Sequence, residues 1–145
     1  MNWRNPVTKR IIKAGLCLMR GGKVLLARSE GGPHFQIPGG KIEPGETDVQ
    51  ALVRETREEL ALSLDPEEVS YLGTFTAPAA GRTDALVEVR LFEARIDAEP
   101  QASSEIAELI WQDPADPTVA CSDVVSLHIL PFLARRSQGT GDTDA

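Results

Sequence analysis

Alternating and continuous apolar stretches predict five β-strands along the chain. The clearest runs from Ala85 to Ala94, where Val87, Val89 and Leu91 alternate with residues that face the other side. The remaining strands are expected at 10–20, 24–27, 69–76 and 108–111. Gly21-Gly22 separates the first two of these, and a glycine turn between short apolar runs predicts a hairpin.

Apolar residues at helical spacing predict two helices. The core-facing stripe of the first consists of Val49, Leu52, Val53 and Leu60. The second begins after Ser122-Asp123, a pair that favours a helix N-cap. Its apolar residues are Val125, Leu127, Ile129 and Leu130. Pro131 is expected to kink or shorten this helix.

Strands mixed with one central and one terminal helix, without an internal repeat, predict a single α+β domain. We expect the domain to occupy residues 1–136. The tail 137–145 is rich in Gly, Thr and Asp, and we expect it to be disordered.

Composition indicates an ordinary globular protein. The chain has 145 residues, of which 41% are hydrophobic and 26% charged. No apolar run approaches the roughly 20 residues that span a bilayer, and the N-terminal residues lack the apolar stretch of a secretory signal. We therefore expect a cytoplasmic protein in which Cys17 and Cys121 are reduced. A disulfide between them is the alternative.

The net charge of −7 bears on partners. Duplex nucleic acid binds mainly through neutralised phosphates, and this chain offers no basic stripe. Its one basic cluster (Arg4, Lys9, Arg10 and Lys13) is small and is expected to form a solvated arm. We expect neither duplex nucleic acid nor a membrane as partner. A small polyphosphate remains open, because a divalent cation can bridge it to an acidic protein.

The first predicted helix carries three glutamates on one side. Glu55, Glu58 and Glu59 fall within an arc of about 100°, so their carboxylates are expected to converge. Like charges at this spacing oppose helix formation by a few tenths of a kcal/mol per pair. Mg²⁺ or Mn²⁺, which prefer oxygen ligands, would relieve that repulsion. The plain alternative is a solvated acidic surface.

Three neighbouring features argue against a solvated surface. A Gly39-Gly40 turn precedes the helix, Glu46 lies just before it, and Arg54 stands beside the glutamates. The whole stretch resembles the signature of the Nudix (MutT-like) hydrolases, G-x5-E-x7-R-E-U-x-E-E-x-G-U, where U is a bulky aliphatic residue. The matching positions are Gly40, Glu46, Arg54, Glu55, Glu58, Glu59 and Leu62.

Two positions depart from the signature. Thr56 replaces an aliphatic residue in the core-facing stripe, and we expect its hydroxyl to bond back to the carbonyl of Leu52. Ala61 replaces a glycine that suits a left-handed helix end, where a β-carbon costs about 1 kcal/mol. We expect the helix to continue toward Ser63 until Asp65-Pro66 ends it.

The resemblance implies an α/β/α sandwich, with a mixed central sheet between helices and the signature helix at the catalytic edge. It also implies a divalent cation, Mg²⁺ or Mn²⁺, held by Glu55, Glu58, Glu59 and the backbone carbonyl of Gly39. Backbone carbonyls suit either ion.

The resemblance further suggests catalytic roles. Glu55 is assigned as the base that activates or orients the water, although family members differ in this residue. Arg54 is expected to orient the glutamates or to pair with Glu46. An ordinary ion pair between Arg54 and Glu58 is the alternative. Gly40 is expected to contact substrate.

Residues outside the signature are further candidates. Glu105 precedes Trp111 by a spacing that resembles some MutT-like members, and is a candidate metal ligand or catalytic acid, with Glu108 as the alternative. Arg28 is a candidate phosphate ligand, and His34 a candidate substrate contact. For each, an exposed residue without a role is the plain alternative.

Together, the residues and the resemblance predict a metal-dependent pyrophosphohydrolase that cleaves a nucleoside diphosphate linked to another group, X. A nucleoside triphosphate, oxidised forms included, is the first choice. An ADP-ribose or dinucleotide polyphosphate hydrolase is the alternative within this class, and a Nudix module that binds nucleotides without catalysis is the alternative outside it. The loops 73–84 and 113–121 are expected to select X. A homodimer and a monomer both remain open.

Overall fold

The computed structural model describes residues 9–79 and 84–136. Strands within these ranges form two sheets. The strands of the four-stranded sheet, in spatial order, are β4 (Gly39–Lys41), β1 (Lys9–Cys17), β6 (Ala85–Glu93) and β5 (Ser70–Pro78). Its β1 and β6 are parallel and its other pairs antiparallel, so the sheet is mixed as expected. The three-stranded antiparallel sheet holds β2 (Met19–Arg20), β3 (Lys23–Ser29) and β7 (Ile106–Gln112).

Two helices cover opposite faces of the four-stranded sheet. Helix α1 spans Asp48–Leu60, α2 spans residues 123–136, and a 3-10 turn at Pro66–Glu68 follows α1. Ala14 and Leu16 of β1 pack with α1, whereas Cys17 packs with α2. Because alternate residues of a strand point to opposite faces, this division places one helix on each side. The expected α/β/α sandwich is confirmed.

Local sequence explains where the first elements begin. Gly21 and Gly22 both have positive φ angles, as a two-residue hairpin turn between β2 and β3 requires. Thr47 caps α1 through a reciprocal pair of bonds: its hydroxyl accepts the Gln50 N–H, while the Gln50 side chain accepts the Thr47 N–H.

The predicted strand at 10–20 is two strands in different sheets. Leu18 separates β1 from β2 and is 1% exposed, packing among the residues beneath α1. Its carbonyl accepts the N–H of Leu25 in the second sheet. Burial of Leu18 at the crossing between sheets therefore divides a segment that reads as one apolar run.

The expected extension of α1 toward Ser63 was wrong. The helix ends at Leu60, and Ala61 takes the left-handed conformation with φ 57°. The chain turns there because Leu62 and Leu64 are both buried against the core. Alanine thus adopts the backbone conformation that glycine would supply, at a cost of about 1 kcal/mol.

Helix α2 also differs from expectation. Neither Ser122 nor Asp123 caps it with a side-chain hydrogen bond. Pro131 does not shorten it, since the helix continues to residue 136. Instead Val124–Ile129, which ends two residues before the proline, is π-helical, a widened geometry that accommodates the disrupted hydrogen-bond ladder.

Cys17 and Cys121 are both free thiols. Across 9–79 and 84–136, no helix combines the length and the apolar character needed to cross a bilayer. The expected disorder of 137–145 lies outside the described residues, as does Arg4 of the basic cluster.

Candidate active site

The site is a cavity of about 380 Å³ between the end of β4, helix α1 and the start of α2. We call it the acidic cavity. Its wall includes four acidic residues, two lysines and the two glycines of the signature loop: Glu43, Glu55, Glu59, Glu105, Lys13, Lys41, Gly39 and Gly40. The glycine loop and the acidic helix of the signature therefore meet at one surface.

Glu59 is a half-buried acid of this cavity. Its Oε1 accepts the backbone N–H of Gly39 at 3.0 Å. Burial raises the pKa of the Glu59 carboxyl to about 7, and the charge of Glu55 raises it further, against the lowering effect of the Gly39 N–H. The protein thus leaves the negative charge of Glu59 poorly compensated.

Close approach requires glycine at position 39 and favours it at position 40. Gly39 has φ 140°, and a β-carbon there would collide with the carbonyl of Ala14 on the neighbouring strand. A β-carbon on Gly40 would collide with the carboxylate of Glu55. The glycine pair therefore lets the loop backbone lie directly against the helix carboxylates.

Arg54 holds two carboxylates together on the side of α1 next to the cavity. It donates two hydrogen bonds to Glu46, at 2.7 and 2.9 Å, and one to Glu55 Oε2 at 2.8 Å. A fourth goes to the carbonyl of Lys41 at 3.1 Å. The Arg54 hydrogen bonds, followed by the N–H of Glu43, lower the pKa of Glu46 to about 2. We call Glu46, Arg54 and Glu55 the arginine cluster.

Glu58 lies outside the acidic cavity. Its side chain is 53% exposed, its nearest Arg54 contact is 3.7 Å, and it borders an apolar groove on the outer surface of α1 rather than the acidic cavity. The alternative of an Arg54–Glu58 pair is present as a long contact. Glu58 therefore lies outside the acidic cavity, although the same Arg54 nitrogen contacts Glu55 at 2.8 Å and Glu58 at 3.7 Å.

Glu105 reaches the cavity because its loop is tied to the end of α1. The N–H groups of Ser103 and Gln101 donate to the carbonyls of Glu59 and Leu60, at 3.0 and 2.9 Å. Ser104 takes a positive φ of 57°, and Glu105 then lines the cavity. Glu108, the alternative, is instead paired with Arg28.

Arg28 and His34 are not among the residues that line the acidic cavity. Arg28 donates to Glu108 at 3.1 Å and to the carbonyl of Gly32 at 3.2 Å, with its guanidinium 5.9 Å from the centre of the Phe35 ring. His34 is half-buried in the loop before β4. Arg28 therefore braces the loop 29–34, which borders the site.

The donors suit Mg²⁺ or Mn²⁺ in chemistry. Glu55, Glu59 and Glu105 supply carboxylate oxygens, and the buried charge of Glu59 calls for a cation. Within the described ranges, however, no three acidic, histidine or cysteine side chains already stand at metal-binding spacing. Arg54 donates to Glu55 Oε2 at 2.8 Å, so the protein already holds this carboxylate at the wall of the cavity.

Sequence reasoning missed three charged residues of the cavity. Glu43, Lys41 and Lys13 all line it. Glu43 and Lys41 lie inside the signature loop, which is a signal that could have found them. The expected solvated arm was wrong for Lys13, because this residue lies within β1 and its side chain is half-buried. Its position depends on the pairing of β1 with β4, which the sequence does not encode locally.

Thr56 is buried as expected, at 1% exposure. The expected bond to the carbonyl of Leu52 is wrong, because the Thr56 hydroxyl has no hydrogen-bond partner. No ligand is affected, since Thr56 faces the core.

A second cavity of about 240 Å³ adjoins the first. The two share Lys13, Gln36 and Val124, so these three residues lie between them. Its remaining lining residues are Ile11, Pro78, Ala79, Val87, Ser122 and Asp123. Of the expected selector loops, 73–84 contributes Pro78 and Ala79 to this cavity. The loop 113–121 is not among its lining residues, but Ser122 and Asp123, which follow that loop directly, are. We call this space the adjoining cavity.

The fold and the site together define an acidic, glycine-lined hydrolase-type centre, and comparison with known proteins identifies its family. The family model of the NUDIX domain matches residues 9–130. The CTP pyrophosphohydrolase of Escherichia coli (strain K12) is 37% identical over 141 residues, covering 92% of this chain and 99% of that protein. The ADP-ribose pyrophosphatase of Methanocaldococcus jannaschii is 30% identical over 97 residues, 65% of this chain and 56% of that protein.

A solved structure agrees. The E. coli ORF135 protein in solution matches with a TM-score of 0.71 and 26% identity, covering 90% of this chain and 94% of that one. This chain belongs to the Nudix family. The expectation of a hydrolase that acts on diphosphate linkages is confirmed at the level of the family.

Proposed function

We propose that this protein is a divalent-metal-dependent pyrophosphohydrolase of nucleoside triphosphates, which releases the nucleoside monophosphate and pyrophosphate. The observation that carries the proposal is the acidic cavity, where Glu55 and Glu59 meet the Gly39-Gly40 backbone. The likeness to a CTP pyrophosphohydrolase over nearly its whole length supports a triphosphate as substrate, with CTP as the first to test.

The residues divide into holding and positioning roles. Glu55, Glu59, Glu105 and the Gly39 carbonyl would hold the cation, with exposed Glu58 joining by rotation. When bound, Mg²⁺ or Mn²⁺ offsets the phosphoryl charge and makes water more acidic. Gly40 leaves room for substrate beside Glu55.

A carboxylate of the acidic cavity accepts the proton of the attacking water. Arg54 fixes Glu55, which we assign as the base that takes a proton from the attacking water. Water adds its oxygen to phosphorus, the P–O bond to the departing pyrophosphate breaks, and the leaving oxygen takes the electron pair. Glu105 is the alternative base, because it faces the same cavity and no arginine is paired with it among the described residues.

The adjoining cavity supports a compartment for the nucleoside. It combines apolar walls with the polar groups of Gln36, Ser122 and Asp123, the mixture typical of small-molecule sites. Pro78 and Ala79 of the expected selector loop contribute to it.

The proposal is tested by offering the purified protein CTP, other nucleoside triphosphates and their oxidised forms, ADP-ribose, dinucleotide polyphosphates and nucleotide sugars, with Mg²⁺ and then Mn²⁺. We expect metal-dependent release of pyrophosphate from one group of triphosphates. Glu55→Gln should reduce kcat by about a hundredfold or more, the usual contribution of a catalytic base. Glu105→Gln should reduce it less, and the exposed Glu67→Gln is the matched control.

Two outcomes would replace this proposal. Cleavage of ADP-ribose alone would favour the second candidate, which the likeness to an ADP-ribose pyrophosphatase supports. Metal-dependent nucleotide binding without any cleavage would favour a non-catalytic binding module.

A further inference from the structure

Lys13 occupies the junction between the acidic cavity and the adjoining cavity. It lies on β1, its side chain is half-buried, and it lines both spaces. Of the other residues shared by the two cavities, Gln36 is uncharged and Val124 apolar. Lys13 is therefore the positively charged residue among the three that line both cavities.

No described residue pairs with this charge. Among 9–79 and 84–136, no carboxylate lies within 4.0 Å of the Lys13 ammonium, although Arg28 and Arg54 each have such partners. Lys13 also stands directly across from Lys41 in the β1–β4 pair. Like charges directly opposite on paired strands destabilise a sheet, so an anion between them would be stabilising.

The nearby carboxylates do not meet this need. Burial lowers the pKa of Lys13, Glu59 raises it, and the charge of Lys41 lowers it again, with a net lowering. Glu59 and Glu55 are also the residues proposed to hold the cation. The Lys13 ammonium is therefore left for an anion that comes with the substrate.

We infer that Lys13 binds the phosphate that remains on the nucleoside, where the substrate passes from the acidic cavity into the adjoining cavity. This inference rests on the proposed function. The departing pyrophosphate would lie among Glu55, Glu59 and the glycine loop, and the nucleoside between Ile11 and Asp123. The phosphate that joins them then lies at the junction, within reach of Lys13.

The two products separate this role from a general effect of charge. We would measure KM, kcat and the inhibition constants of the nucleoside monophosphate and of pyrophosphate for wild type, Lys13→Met and Lys13→Arg. Lys9→Met is the matched control, since Lys9 lies on the same strand and face but outside both cavities. Thermal unfolding of each variant checks the fold, and Lys13→Gln replaces Lys13→Met if the latter unfolds.

We expect Lys13→Met to raise KM and the monophosphate inhibition constant by about ten- to a hundredfold, the usual effect of losing a charged hydrogen bond. The pyrophosphate constant should change less than threefold. Lys13→Arg should recover most of the loss, and Lys9→Met should match wild type.

Three results would overturn the inference. If the wild type is active and the monophosphate inhibition constant is unchanged in Lys13→Met, Lys13 does not contact that phosphate. An altered Mn²⁺ affinity in a calorimetric titration, with unchanged inhibition, would assign Lys13 to charge balance of Glu59. An inactive wild type would instead refute the proposed function, and this inference with it.

Discussion

Two carboxylates on one helix, four residues apart, meet opposite environments. Glu55 belongs to the arginine cluster, where Arg54 donates to it and to Glu46. Glu59 is half-buried, accepts the Gly39 N–H, and has no arginine ion pair within residues 9–79 and 84–136; burial raises the pKa of its carboxyl to about 7. The protein's own charges therefore hold Glu55 in place, whereas the charge of Glu59 is left for a bound cation to compensate.

Glu58 and Glu59 form a second contrast, because adjacent positions on a helix point in different directions. Glu59 faces the acidic cavity, whereas Glu58 is half exposed on the outer surface. The signature motif contains both residues without distinguishing them. We expect the environment of each glutamate, rather than its membership of the motif, to determine how strongly its loss reduces activity.

The largest effect is expected from Glu59→Gln. It removes the charge of the half-buried acid but keeps an acceptor for the Gly39 N–H, so the fold should remain and kcat should fall by about a thousandfold or more. Glu58→Gln should lower kcat by less than about tenfold. Steady-state kinetics under saturating Mg²⁺ measure both, and equal losses would show that exposure does not rank these ligands.

Arg54→Met should lower kcat by about ten- to a hundredfold, because Glu55 loses the partner that fixes its carboxylate. KM should change little, since Arg54 does not line the acidic cavity. Arg57→Met, on the exposed side of the same helix, is the control. A purely structural Arg54 would be indicated by lost stability at unchanged kcat.

The sequence predicted the parts of this site that are local. Apolar spacing and the signature located α1 and its glutamates, and the spacing before Trp111 located Glu105. The environments of those glutamates were not predictable, because Glu59 is buried by residues distant in the chain. Lys13 reaches the site through the pairing of β1 with β4, and Ala61 is forced into its left-handed conformation by the burial of Leu62 and Leu64.

Stability of the metal-free protein should fall as pH rises through Glu59's titration. The folded state holds a proton with a pKa of about 7 and the unfolded state with one near 4.5, so the folded state binds more protons between these values. The stability attributable to Glu59 is therefore fully present below about pH 4.5 and is lost as the pH rises through about 7, a change of roughly 3 kcal/mol.

Denaturant unfolding in a chelator, at pH 5 and pH 8, measures this effect as the difference between wild type and Glu59→Gln. We expect the variant to be the more stable at pH 8 and nearly equal at pH 5. A parallel response of both proteins would mean that Glu59 does not titrate in this range.

The smallest effect concerns the core beneath the acidic helix. Thr56 buries a hydroxyl without a partner, so Thr56→Val should stabilise the fold by about 1 kcal/mol and leave kcat unchanged. Thr74→Val is the control, because its hydroxyl bonds to Tyr71 at the surface. Destabilisation by Thr56→Val would indicate that its hydroxyl finds a partner in solution.

The most direct test of the central claim is a calorimetric titration of Mn²⁺ into wild type, Glu59→Gln, Glu58→Gln and the exposed control Glu67→Gln. If a cation compensates the charge of Glu59, wild type and Glu67→Gln should bind Mn²⁺ with equal affinity. Glu58→Gln should bind it slightly more weakly, and Glu59→Gln should lose about a hundredfold or more in affinity. Undiminished binding by Glu59→Gln would contradict the assignment of the cation to the acidic cavity.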